Sequence, residues 1–131
     1  TVDADGELDL NFFKKLRYQN FDIIIGSRDK YNRSSEYIFS FFSKIIFGIR
    51  DMLSGARVYN KDFLIKVRKE IIYDNINTNI LLIASKRNKI IIEKQIKTSK
   101  RIDVSRFGNG LKTNLYICYV LLKNIYLFLK K

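Results

Sequence analysis

Histidine is absent from this 131-residue chain, and cysteine occurs once, at Cys118. Without histidine there is no His-based triad, no His-ligated zinc and no imidazole general base. Acid–base work then falls to carboxylates, lysine or tyrosine. A lone cysteine excludes an intrachain disulfide and is compatible with a reducing compartment. Proline is missing too; beside abundant Ile, Lys and Asn, this reads as compositional drift and excludes no mechanism. Carboxylates are few: 13 Asp and Glu stand against 25 Lys and Arg, for a net charge of +12. That surplus favours an anionic partner, whether nucleic acid, acidic lipid headgroups or phosphate-bearing substrates, without choosing among them. No signal peptide is visible. Hydrophobic residues make up 47%, too many for a disordered tail, and the length suits one small domain with a core.

Helical and strand patterns alternate, which predicts an α/β layer structure. Val2 reads as a strand end, and Leu8 to Arg17 as a helix with Leu8, Phe12, Phe13 and Leu16 at helical spacing. The apolar run Phe21 to Ile25 predicts a buried strand entering a Gly26-Ser27 loop. Ser34 to Gly48 predicts a helix capped by Ser34 or Ser35 and stopped at Gly48, with Ile38, Phe41, Phe42, Ile45 and Ile46 on its apolar face. A loop follows to Gly55, then a short strand over Ala56 to Tyr59, a helix over Lys61 to Ile72 and another over Asn75 to Ser85. That last helix places Ile76, Ile80, Leu81 and Ala84 on one side. Lys89 to Ile96 reads as a strand, Lys97 to Gly110 as a basic loop and Asn114 to Lys131 as a hydrophobic helix. About four short strands are fewer than a complete sheet usually has.

Four clusters carry chemistry. Asp3 and Asp5 flank Ala4, with Gly6 and Glu7 next. On a strand, residues two apart share a face, so both carboxylates can converge on Mg²⁺ or Mn²⁺, with substrate phosphates completing the shell. An Asx-rich surface turn explains the same letters. A metal motif at residue 1 also implies a preceding segment outside this chain. In the second cluster, Gly26-Ser27-Arg28 with Arg33 offers guanidinium groups to phosphate, or is a solvated loop. In the third, Asp51 sits between apolar residues ahead of Ser54, Gly55 and Arg57. Desolvation there would raise a carboxyl toward a useful general base; the alternative is a turn cap and a strand-surface charge. The fourth, Lys100 to Gly108 with Ser105 and Arg106, is a loop that closes over a diphosphate or a basic solvated run.

In order, D-A-D-G-E, I-I-G-S-R, F-G-I-x-D-x-x-S-G-x-R-x-Y, I-I-E-x-x-I and S-R-F-G together resemble a family-2 glycosyltransferase of the GT-A type. The nearest branch is that of the polyprenyl-phosphate and dolichyl-phosphate mannosyltransferase-like enzymes. The resemblance runs from Thr1 to about Gly110 and covers the C-terminal part of such a catalytic domain, without the nucleotide-binding half. It implies metal-dependent transfer of a sugar from a nucleotide-sugar donor to a lipid-linked or polyprenyl-phosphate acceptor, in the building of cell-envelope glycans at the cytoplasmic face of the membrane. Asp3, Asp5 and Glu7 would hold Mg²⁺ or Mn²⁺. Asp51 would be the catalytic base, unless the acceptor is already a phosphate anion. Arg28, Arg33, Ser54, Arg57, Ser105 and Arg106 would bind substrate. Ala56 replaces the usual aromatic residue, Gln95 stands where proline is expected, and amides replace the acidic residue expected near Asn75 to Asn79. Lacking its other half, the isolated chain is expected to be inactive or a non-catalytic remnant. A basic nucleic-acid-binding module is the alternative, disfavoured by the lack of any recognisable nucleic-acid motif.

Residues 113–131 divide from 1–112 as a separate basic-ended segment. Leu115 to Leu129 is shorter than the roughly 20 apolar residues that span a bilayer. Its tyrosines and terminal lysines suit a membrane interface; a core helix or a cut-off spanning segment are the other readings.

Overall fold

The computed structural model describes residues 1, 11, 20–71, 75–98 and 110–130. Among these the order is β1 (Ile23–Arg28), α1 (Ser34–Phe47), β2 (Arg57–Tyr59), α2 (Lys61–Val67), α3 (Ile76–Lys86), β3 (Ile91–Ile96) and α4 (Leu111–Leu129). The class is mixed α/β, as the alternating patterns predict. The expected Leu8–Arg17 helix and most of the basic loop at Lys97–Gly110 lie outside the described residues.

β1 is the centre of the sheet, in the order β2-β1-β3. Its three successive isoleucines are all buried, the signature of a strand covered on both faces. It runs parallel to β3 from Ile23↔Ile91 to Arg28↔Ile96, and antiparallel to β2 from Ile23↔Tyr59 to Ile25↔Arg57. Gly26, Ser27 and Arg28 are therefore strand, not the expected loop: β3 offers a pairing partner to the last of them. On the side of β2 away from β1, Thr1 and Arg57 exchange two backbone bonds, the Thr1 amine donating at 2.7 Å and the Arg57 N–H at 2.9 Å.

α1 ends where Gly48 adopts φ 72°, the left-handed conformation that glycine takes without a Cβ penalty. Its N-cap is Arg33, with no side-chain cap bond, rather than Ser34 or Ser35. Most of its expected apolar face points outward, and only Ile46 of that face packs against the core. Ile38, Phe41, Phe42 and Ile45 are exposed, while Ser35, Glu36, Phe39, Ser40, Ser43 and Phe47 are buried. Polar demand at the end of β1 sets this rotation: Glu36 pairs with Arg28, Ser40 accepts from Tyr31, and Ser43 donates to the Ile49 carbonyl.

α2 is shorter than expected and stops at Val67; Asn60 caps it by accepting from the Asp62 and Phe63 amides. In α3, Ile80, Leu81 and Ala84 are buried as expected, but Ile76 is exposed. α4 starts at Leu111, so a boundary at 112/113 falls inside it. It packs on α1 and α3, sends Val120 and Leu121 into the core that holds Ile23, Ile25, Phe39 and Leu81, and sets Phe128 edge-on to Phe47 at 5.0 Å. No helix among the described residues is long and apolar enough to cross a membrane.

Gly26 has no room for a side chain. A Cβ there would lie 2.9 Å from Ile96 Cδ1 and 3.0 Å from Ala56 Cβ. The isoleucine tip can rotate, but Ala56 Cβ is fixed to the backbone. Gly26→Ala should lower stability by about 1–3 kcal/mol in urea denaturation, through overpacking.

Candidate functional site

The carboxyl ends of the parallel strands β1 and β3 meet the loop over residues 49–56, and the second and third sequence clusters come together there. Arg28 holds Asp51 three times: its backbone N–H and its Nε each reach Oδ2 at 3.0 Å, and its Nη2 reaches Oδ1 at 3.0 Å. Asp51 is 2% exposed, so this is a buried bidentate pair in which both carboxylate oxygens are engaged. Arg28 Nη1 also approaches Glu36 at 3.5 Å, and its guanidinium lies 5.1 Å from the centre of the Tyr31 ring. Glu36 takes Arg33 Nη1 at 2.8 Å and the Asn32 amide at 3.2 Å. Two arginines and two carboxylates thus alternate around the end of β1.

The loop is fixed from every side. Glu93 on β3 accepts the Arg50 amide at 2.9 and 3.0 Å and the Asp51 amide at 2.9 Å. Ser54 donates its hydroxyl to the Gly26 carbonyl at 2.5 Å and accepts from the Ala56 amide at 3.2 Å. Arg57 lies beneath the loop, 1% exposed. Its Nε donates to the Ser54 carbonyl at 2.8 Å, its Nη2 to Met52 at 2.5 Å, and its Nη1 to Asn77. A buried loop carries backbone polar groups that need partners, and here side chains supply them.

These contacts revise several expectations. Arg57 is not a strand-surface charge and does not face a ligand: all three of its nitrogens are turned to main-chain carbonyls inside the fold. Ser54 is occupied in the same way. Asp51 is buried with both oxygens accepting from Arg28, and in this arrangement it orders the loop. Arg28 and Arg33 sit at the strand end as expected, but each is paired with a carboxylate. Asp3, Asp5, Glu7, Ser105 and Arg106 lie outside the described residues. Among the described residues no group of three or more Asp, Glu or Cys could hold a metal. Sequence reading missed Glu36 as the bridge between the arginines; its place three residues after Arg33 at the start of a helix was the available signal. It also missed Glu93 as the acceptor for the loop, although Glu93 stands in the I-I-E-x-x-I run.

Two groups beside this site titrate away from their ordinary values. Thr98 donates its hydroxyl at 2.7 Å and its amide at 3.1 Å to Asp29 Oδ1, which holds that half-buried carboxyl below the usual aspartate value. Burial pushes the Tyr31 phenol up, against the opposing effect of its 2.9 Å bond to Ser40.

No known family model, curated protein or solved structure matches this chain.

Asp51→Ala should cost about 3 kcal/mol, since it leaves a buried guanidinium with one carboxylate fewer. The paired replacement Arg28→Met/Asp51→Leu should cost less than that single change, measured by urea denaturation. Asp29 should titrate below a model-peptide aspartate by NMR and move back toward it in Thr98→Val. Because its folded value is depressed, its contribution to stability is present above the ordinary carboxylate value, about 4, and is lost as pH falls through the folded value.

Proposed function

We propose that this chain forms the metal and phosphate side of a glycosyltransferase site of the GT-A type, transferring a sugar from a nucleotide-sugar donor to a lipid-linked phosphate acceptor. The observation that carries the reading is convergence. G-S-R, D-x-x-S-G-x-R and Thr1, two residues before D-x-D, are far apart in sequence, yet they meet at one sheet: Arg28 on Asp51, Ser54 on Gly26, and Thr1 on Arg57. Ligands of open α/β sheets gather outside the carboxyl ends of parallel strands, which is where Arg28 and Arg33 lie.

The donor set of Asp3, Asp5 and Glu7 is all oxygen and suits a hard divalent cation such as Mg²⁺ or Mn²⁺. Once bound, such an ion would neutralise charge on the departing diphosphate. Arg28 and Arg33 present guanidinium donors at the strand end, and their carboxylate partners hold both groups in place. With Asp51 engaged by Arg28, the geometry favours an acceptor that arrives as a phosphate anion and needs no general base. Asp51 then serves by orienting Arg28 and by closing the loop.

Titration calorimetry with a panel of nucleotide sugars tests the reading. Binding should require Mn²⁺ or Mg²⁺, and Asp5→Asn should abolish the metal-dependent part. Binding that ignores metal overturns the mechanism. No binding, in a chain that also carries a nucleotide-binding half before Thr1, favours a non-catalytic remnant.

A further inference from the structure

Helix α1 is inside out for a domain in water. Its buried positions are mostly small or polar, whereas Tyr37, Ile38, Phe41, Phe42 and Ile45 face outward, with Phe41 at 62% and Ile45 at 66% exposure. α4 repeats the pattern along its whole length. Leu111, Leu115, Tyr119, Leu122, Tyr126 and Leu129 form an exposed stripe, while Thr113 and Asn124 are buried beside Val120 and Leu121. The two helices pack on each other through a seam that includes the Ser35 hydroxyl donating to Asn114 Oδ1 at 2.6 Å. Small polar residues between helices with large apolar residues outside is how helices associate next to lipid. Soluble monomers rarely leave such apolar area open.

Charge identifies the occupant. No Asp or Glu occurs from Gly110 to Lys130, and the one carboxylate of α1, Glu36, is buried and paired with Arg28 and Arg33. Lys44, Lys112 and Lys130 are exposed. Lys112, Lys123 and Lys130 recur at nearly whole numbers of helical turns, in one row along the edge of the α4 stripe. Lysine stems can lie along an apolar face and lift their ammonium groups to lipid phosphates, and tyrosines suit the headgroup boundary. A second copy of this chain would instead bring like-charged rims together.

We propose that the outward faces of α1 and α4 form one docking surface for an anionic lipid bilayer, on which both helices lie flat. It reaches beyond the C-terminal segment to a second helix with an apolar face. It does not rest on the transferase reading, because docking needs neither metal nor sugar donor.

Flotation of the 131-residue chain on phosphatidylcholine vesicles, with and without phosphatidylglycerol, tests it. Recovery is expected with the anionic vesicles only. Phe41→Asp/Ile45→Asp on α1 and, separately, Leu115→Asp/Leu122→Asp on α4 should each weaken that binding at least about tenfold, with unchanged circular dichroism. Ile65→Asp, an exposed apolar change on α2, should leave it intact. Equal recovery on neutral and anionic vesicles overturns the proposal, and so does full binding by the α1 variant. A wild-type dimer by light scattering that the α1 variant splits into monomers assigns the face to a second copy and overturns it as well.

Discussion

The grip of Arg28 on Asp51 ties the end of the central strand to the loop that turns back into β2. Three of its hydrogen bonds converge on one carboxylate that is almost wholly removed from water. Neither ion would be stable there alone, since a buried unpaired charge costs several kcal/mol. The pair therefore forces strand end and loop to be built together. Glu36 enters to complete the shell of Arg28, and that requirement in turn sets how α1 rotates about its own axis.

Around this pair the protein meets the backbone's polar demand with side chains. Glu93 collects two adjacent amides, Ser43 and Ser54 each donate to a carbonyl, and Arg57 spans three carbonyls from below. Each of these bonds is a modest net gain, yet each partner left unmatched in the interior would be costly. A loop held this tightly gives a rigid frame at the end of the sheet, and it keeps the paired arginines in fixed geometry. The same rotation of α1 that serves the frame sends Phe41, Phe42 and Ile45 outward. In this way one polar constraint joins the candidate site to the candidate lipid face.

Much of the fold was legible in the chain. Three consecutive isoleucines announce a buried strand, Gly48 announces a helix end, and the alternation from Ala56 to Ile96 announces mixed α/β layers; each has a local physical cause. The rest was not legible because it depends on partners far away in sequence. β1 extends through Arg28 because Ile96 lies 68 residues further on and pairs with it. Arg57 looks like a surface cation until Asn77 and the loop carbonyls close around it. The helical spacing of Ile38, Phe41, Phe42 and Ile45 marks an apolar face, but periodicity is silent on whether that face meets a core or a lipid surface.

By itself, then, the sequence determined the local periods, the strand and helix stops, the excess of positive charge and the order of the acidic and Gly-Ser-Arg clusters. All of these follow from backbone preference and composition, which act over a few residues. Only the tertiary structure decided which charges neutralise one another and which way the amphipathic helices turn. Both depend on what a side chain meets after the chain has closed on itself: a carboxylate 23 residues away for Arg28, and a buried ion pair beside the hydrophobic core for the inner face of α1.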